Sequence, residues 1–313
     1  MTPNAFDCPE ADRLVDEALR AIGAEIDALR VPCLLGVVLG GGYARGEGGV
    51  VDAEGATPRL SNDLDFYVVA EDGASPADLA AIAAALRPVS EKWTARLGVD
   101  VDFSPPKTPW RIRHDEERLM IQELVHGYCD VAGRPGAELF RDVARRDPSA
   151  LPAMEAVRLL VNRGAGLLLA AEAGAESGFV ARNINKAILG CGDARLIARG
   201  GYRWRAEERA EALGDPLYAA AVAWKFRPRP EPVCDWEKAR DAWLAAAAAG
   251  GAPALRARSL RAALRWIARR RTLGPPRTLG MDPLVRILDE MVPAVRDRAP
   301  FPPSLRRDWE IFN

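Results

Sequence analysis

The chain has 313 residues, 49% hydrophobic and 28% charged, with 43 basic against 44 acidic side chains. This is the make-up of a globular protein of one large domain or two ordinary ones. A net charge of −1 argues against a general basic field that grips long nucleic acid, and five scattered cysteines with no CxxC pair argue against a structural zinc site.

The first stretch, "MTPNAFDCPEADR", is polar and acidic and does not read as a signal peptide. With no apolar run of membrane-span length, and thiols that suit a reducing compartment, a cytoplasmic protein with no membrane partner is expected. Residues 10–30 carry Leu14, Val15, Leu19, Ile22, Ile26 and Leu29 at helical spacing. "CLLGVVL" (33–39) reads as a buried strand and "DLDFYVVA" (63–70) as a second. "SPADLAAIAAALRPVSEKWTARL" (75–97) opens with a Ser cap and a proline at the first helical position, so a helix is expected, interrupted near Pro88. "GVDVDFS" (98–104) alternates acid and apolar residues as a third strand does. "ERLMIQELVHG" (117–127) predicts a short helix and "YCDVAG" (128–133) a short strand or turn.

Beyond about residue 137 the pattern is helical throughout. Residues 154–174 are amphipathic. Residues 179–200 form a second such pattern with a glycine interruption, and helices follow over 237–249 and 259–271. "KFRPRPEPVCDW" (225–236) reads as a connector, and 298–313 as an irregular tail docked by Trp309, Ile311 and Phe312. The expected architecture is α+β: a small mixed sheet with helices on one side over residues 1–136, then an all-helical domain over 137–313.

Between the first two strands lies "LGGGYARGEGG" (39–49), with six glycines in eleven residues. A dinucleotide-binding turn needs a helix straight after the glycines, but "EGGVVDAEGATPRLS" follows. Its acid also belongs at the end of the second strand, whereas Asp63 and Asp65 open theirs. A Walker loop needs Lys-Ser or Lys-Thr after its last glycine, and neither is present.

The carboxylates give a third reading. Residues i and i+2 of a strand share a face, so Asp63 and Asp65 project together, roughly 7 Å apart by strand rise. They repel each other unless cations sit between them. Asp100 and Asp102 share a face of the third strand. If that strand pairs beside the second, the acids converge into a set of hard oxygen donors suited to Mg²⁺, able to hold two ions roughly 4 Å apart. Bare amides at Gly41 and Gly42 can approach phosphate oxygens, and Arg45 supplies matching charge, or pairs with Glu47 or one of the acids.

The combination "LGGGYARGEGG…NDLDFYVV…VDVDFSP" resembles the polymerase-β-type nucleotidyltransferase superfamily: a hydrophobic strand, Gly-Gly, Asp-x-Asp on the next strand and a third Asp on a later one. The resemblance covers about residues 30–135. One departure is the gap between Gly42 and Asp63, longer than that pattern usually has, so "EGGVVDAEGATPRL" looks like an inserted loop. The later "NRGAGLLL…NINKAILGCGDARLIARGGYRWRAEER" is similar, more loosely, to the helical second region of bacterial members.

The resemblance implies a palm domain and transfer of a nucleoside monophosphate, AMP from ATP before other nucleoside triphosphates, to a nucleophile on a small-molecule or protein acceptor, with release of pyrophosphate. It implies Asp63, Asp65 and Asp102 as metal-binding and catalytic residues, with Asp100 the alternative for the third. Gly41, Gly42, Arg45 and Lys186 are the implied nucleotide-binding residues. Lys186 stands out as one of only five lysines, against 38 arginines. Asp193 and Tyr202 are candidates for an acceptor site. The competing expectation is a non-catalytic nucleotide-binding or antitoxin-like regulatory protein on the same fold.

Overall fold

In a computed structural model, described over residues 7–51, 58–172, 174–250 and 283–312, the chain divides into two units. The first comprises Met1–Arg146 with Lys225–Pro228, the second Asp147–Trp224 with Arg229–Asn313. The protein is mixed α+β with a small mixed sheet. The first unit extends past the expected boundary at 136 because α6 (Gly136–Leu139) packs on the sheet, burying Leu139, Phe140 and Val143 against Val38 and Val69.

The sheet runs β5-β4-β1-β6, built from β1 (Leu34–Leu39), β4 (Leu64–Ala70), β5 (Val101–Phe103) and β6 (Cys129–Gly133). β1 is antiparallel to both β4 and β6, whereas β5 lies parallel to β4 at the sheet edge. One face places Val37, Leu39, Leu64, Phe66, Val68 and Val101 against α1 (Pro9–Leu29) and α3 (Pro76–Leu97). Helices were expected on one side only. Instead Val38 and Val69, with Leu35 and Tyr67, bury the opposite face under α4 (Pro109–His114), α5 (Leu119–His126) and α6. The apolar runs "LLGVVL" and "FYVVA" are long because both sheet faces are covered.

Helix α3 starts as expected. Ser75 Oγ accepts from the Asp78 amide at 3.2 Å, Asp78 accepts from the Ser75 amide at 2.8 Å, and Pro76 follows the cap. The expected break at Pro88 does not occur; the helix runs on to Leu97. A proline inside a helix removes one hydrogen bond, but Ile82, Leu86, Val89 and Trp93 on both sides of it are buried in the core, and that packing outweighs the loss. Trp93 Nε1 and Lys92 Nζ both donate to Glu25 of α1, at 3.1 and 2.8 Å.

The inserted stretch also has structure: a two-stranded sheet of β2 (Val50–Val51) and β3 (Arg59–Leu60), with Val50 paired to Leu60. Residues 52–57 lie outside the described residues.

In the second unit α7 (Ala153–Ala170) packs along α8 (Ser177–Ala198), with α11 (Trp236–Gly250) and α12 (Pro283–Arg296) against them. α9 (Ala206–Leu213) and α10 (Pro216–Phe226) lie between α8 and α11 in the chain. The glycines of "LGCGD" do not interrupt α8. They admit neighbours: the Arg163 stem lies over Gly190 and the Tyr218 ring over Gly192, where an added Cβ would sit 2.4 and 2.2 Å from them. Trp236 and Trp243 are buried and donate to the carbonyls of Leu167 and Leu160. The tail is a helix, α13 (Pro303–Phe312), rather than irregular, and Trp309 docks it by donating to Asn162 at 3.1 Å. The side chains of Ile311 and Phe312, and the helix expected over 259–271 with Trp266, lie outside the described residues.

Candidate active site

The antiparallel pairing of β1 with β4 brings the end of β1 to the start of β4, and the parallel pairing of β5 brings its start to the same corner. In register, Asp65 stands directly opposite Asp102, with Leu64 opposite Val101 and Phe66 opposite Phe103. The apolar neighbours enter the core, and Phe66 and Phe103 stack at 5.0 Å. By strand alternation Asp65 and Asp102 therefore share the other face, with Asp63 and Asp100 immediately before the two strands. Asp65 and Asp102 are exposed.

The glycine turn meets the acids directly. Gly40 donates its amide to the Asp65 carbonyl at 2.8 Å, and the chain then makes one helical turn, α2 (Gly41–Ala44). Gly41 has φ +70°, and a Cβ there would lie 2.6 Å from Asp65 Oδ2. Two separate constraints thus require glycine at this position.

The charges respond to this crowding. Partial burial, with Asp100 and Asp63 nearby, pushes the Asp102 carboxyl above its usual range. Burial, then Asp65 and Glu123, raises the Tyr67 phenol. The acids are the hard, anionic donors that Mg²⁺ takes, and two of them are cross-strand neighbours. Among the described residues, no three acid, imidazole or thiol groups are already gathered around one point.

Tyr43 fixes the turn. Its ring is 1% exposed, and its hydroxyl donates to the Gly49 carbonyl at 2.7 Å while accepting from the amides of Ser61 and Asn62 at 3.1 and 3.4 Å. Gly49 in turn donates to Asn62 Oδ1 at 2.7 Å. One phenol therefore ties the glycine stretch to the segment just before Asp63. Tyr43→Phe is expected to strand buried amides and destabilise the protein by about 1–3 kcal/mol. A thermal midpoint equal to that of the wild type would show that the hydroxyl is dispensable.

Arg45 takes the expected alternative of pairing with Glu47, and adds Glu123. Its guanidinium pairs with Glu123 at 3.7 Å and Glu47 at 4.0 Å, and its stem packs on Gly127. Glu47, buried to 1% exposure, also receives Lys225 Nζ at 2.5 Å. Glu47 further donates its amide to the Gly42 carbonyl at 2.9 Å, so the ion cluster supports the turn from behind. Sequence reasoning missed Glu47, Glu123 and Lys225 as a group. The scarcity of lysine was the one signal that pointed to Lys225.

Three further candidates, Lys186, Asp193 and Tyr202, belong to the second unit. Lys186 is half-buried on α8 of the second unit. Asp193 binds Arg209 at 2.9 Å and Tyr218 at 2.6 Å, while Tyr202, 1% exposed, lies under the Arg209 guanidinium. Asp193 and Tyr202 thus share one polar network around Arg209. His126 is held to the Arg146 carbonyl at 3.0 Å, and His114 stacks on Trp110. Among the described residues, no helix is long and apolar enough to cross a membrane.

The chain has no match among protein-family models, curated proteins or solved structures.

Proposed function

We propose that the protein is a nucleotidyltransferase of the polymerase-β type, its palm formed by the first unit. The observation that carries the reading is the register of Asp65 with Asp102 beside a glycine turn that Asp65 itself touches. Asp63, Asp65 and Asp102 would hold Mg²⁺, which supplies positive charge between the carboxylates and a triphosphate and acidifies an acceptor hydroxyl.

Gly41 and Gly42 present first-turn amides, which no carbonyl of the same turn can accept, to phosphate oxygens. Arg45 serves the turn through Glu47 and Glu123. In the transfer, the acceptor oxygen bonds to the α-phosphorus. The bond from that phosphorus to the oxygen bridging to the β-phosphate breaks, and pyrophosphate leaves. The hydroxyl proton passes to Asp102. ATP is the donor expected first.

Titrating ATP, GTP, CTP and UTP into the protein with Mg²⁺ tests this reading. One triphosphate is expected to bind in a magnesium-dependent way, and binding should vanish in the Asp63→Asn/Asp65→Asn double variant. Lys186→Ala in the same titration reports whether the second unit contributes. If no triphosphate binds, or the double variant binds as the wild type does, the assignment is wrong.

A further inference from the structure

Lys107 is one of five lysines in the chain, and the fold holds it at a fixed place. After β5 the chain returns to the sheet. The Lys107 amide donates to the Val68 carbonyl at 3.0 Å, its carbonyl accepts from the Ala70 amide at 2.9 Å, and Lys107 stands in parallel register with Val69. Residues paired in this way share a face of the sheet, and Val69 faces the layer of α4 and α5. The half-buried Lys107 side chain therefore leaves the sheet toward those helices.

The same helices bring three more charges to it. Thr108 caps α4 by accepting from the Arg111 amide at 3.2 Å, and Arg118 donates its amide to the Asp115 carbonyl at 3.0 Å just before α5. Arg111 and Arg118 both reach the Asp115 carboxylate, at 3.5 and 3.7 Å. Burial holds the Lys107 ammonium below its ordinary range; Asp115 opposes this, and Arg118 and Arg111 add to it. Asp115 is the one acid among the charges that act on Lys107. The neighbouring acids have partners of their own. Asp142 pairs with Arg113 at 3.7 Å, Glu116 and Glu117 with Arg146 at 3.0 and 3.4 Å, and Asp72 accepts from the Trp110 amide at 2.9 Å. One carboxylate thus serves two guanidinium groups, and among the described residues Lys107 has no ion pair and no side-chain hydrogen bond.

We propose that Lys107, Arg111 and Arg118 form a binding site for a dianionic phosphate group. Three cations around one acid leave a surplus of positive charge that a monoanion only half matches. A phosphate monoester brings a charge of about −1.5 to −2 at pH 7 and three acceptor oxygens. Guanidinium forks fit such oxygens in pairs, and the lysine adds a point charge. The site stands apart from the acid corner. Val69 follows Asp65 by four residues of β4, roughly 13 Å by strand rise. It therefore holds whether or not the first unit transfers nucleotides.

Isothermal titration of inorganic phosphate into the full chain, with chelator present and chloride held constant at pH 7, tests the site. Saturable binding is expected, weakened about tenfold or more by Lys107→Met and by Arg111→Gln. Methionine keeps the half-buried stem and removes the crowded charge, so the thermal midpoint of Lys107→Met in phosphate-free buffer should not fall below that of the wild type. A fall of several degrees would make Lys107 a structural residue and overturn its place in the site. Arg111 is exposed, so its variant carries the test where folding is not at issue. Glycerol 2-phosphate separates the two sources of the group. Binding as tight as that of inorganic phosphate assigns a phosphoryl group on a larger molecule, and exclusion of the ester assigns the free ion. The site is overturned if inorganic phosphate does not bind saturably, if either variant binds it as the wild type does, or if acetate binds as tightly as phosphate.

Discussion

Lys225→Met is expected to lower stability by about 3 kcal/mol, as removal of one partner from a buried ion pair does. Glu47 has almost no exposed surface, and Lys225 Nζ lies 2.5 Å from its carboxylate. Methionine keeps the length of the side chain and removes the charge, leaving Glu47 with Arg45 at 4.0 Å as its cation. Glu47→Gln added to Lys225→Met should recover much of the loss, because the buried carboxylate that lost its nearest cation is then gone. The two single variants and the double variant form a cycle readable from denaturation midpoints. If Lys225→Met alone costs less than about 1 kcal/mol, the value of an exposed pair, then the pair does not support the turn. The same cycle followed by triphosphate affinity separates a stabilising role from a positioning one. Glu47 donates to Gly42, so a slackened turn should bind more weakly even where the fold persists.

This cluster marks the limit of what the sequence made legible. The strand–glycine–strand pattern and the positions of Asp65 and Asp102 on neighbouring strands are local signals, with spacing set by strand geometry, and β4 and β5 form where alternation put them. The change to helices after the first unit is likewise a matter of local period. What stayed hidden depends on neighbours distant in the chain. Lys225 lies 178 residues from Glu47, and nothing near either residue announces the other. Pro88 and Gly190 read as interruptions because helix propensity is a local quantity; burial of Leu86 and Val89, and the Arg163 stem over Gly190, decide otherwise. The role of Tyr43 was not legible, since its three hydrogen bonds depend on how the β2–β3 stretch folds back. Arg45 carried the right charge for phosphate, but its acidic neighbours come from α5 and from the turn itself.

Asp102→Asn should separate function from stability in the opposite sense to Lys225→Met. If Asp102 takes the proton from the acceptor and helps to hold the metal, transfer should fall by about 10²- to 10⁴-fold, the usual contribution of a positioned acid–base group. The fold should not suffer. Burial and the neighbouring Asp100 and Asp63 raise the Asp102 pKa above its ordinary 3.8, so the folded state favours its protonated form. The stability linked to that proton is fully present below the ordinary pKa and is lost as pH rises through the raised one. At neutral pH, in chelator, the ionised Asp102 therefore works against the fold, and asparagine removes that repulsion at nearly the same shape. The variant's thermal midpoint should equal or exceed that of the wild type at pH 7, with any gain shrinking as the pH is brought below about 4. A fall of several degrees at pH 7 together with loss of activity would make Asp102 a structural residue. Full activity with a raised midpoint would move the third acid to Asp100, which stands immediately before β5, two residues from Asp102.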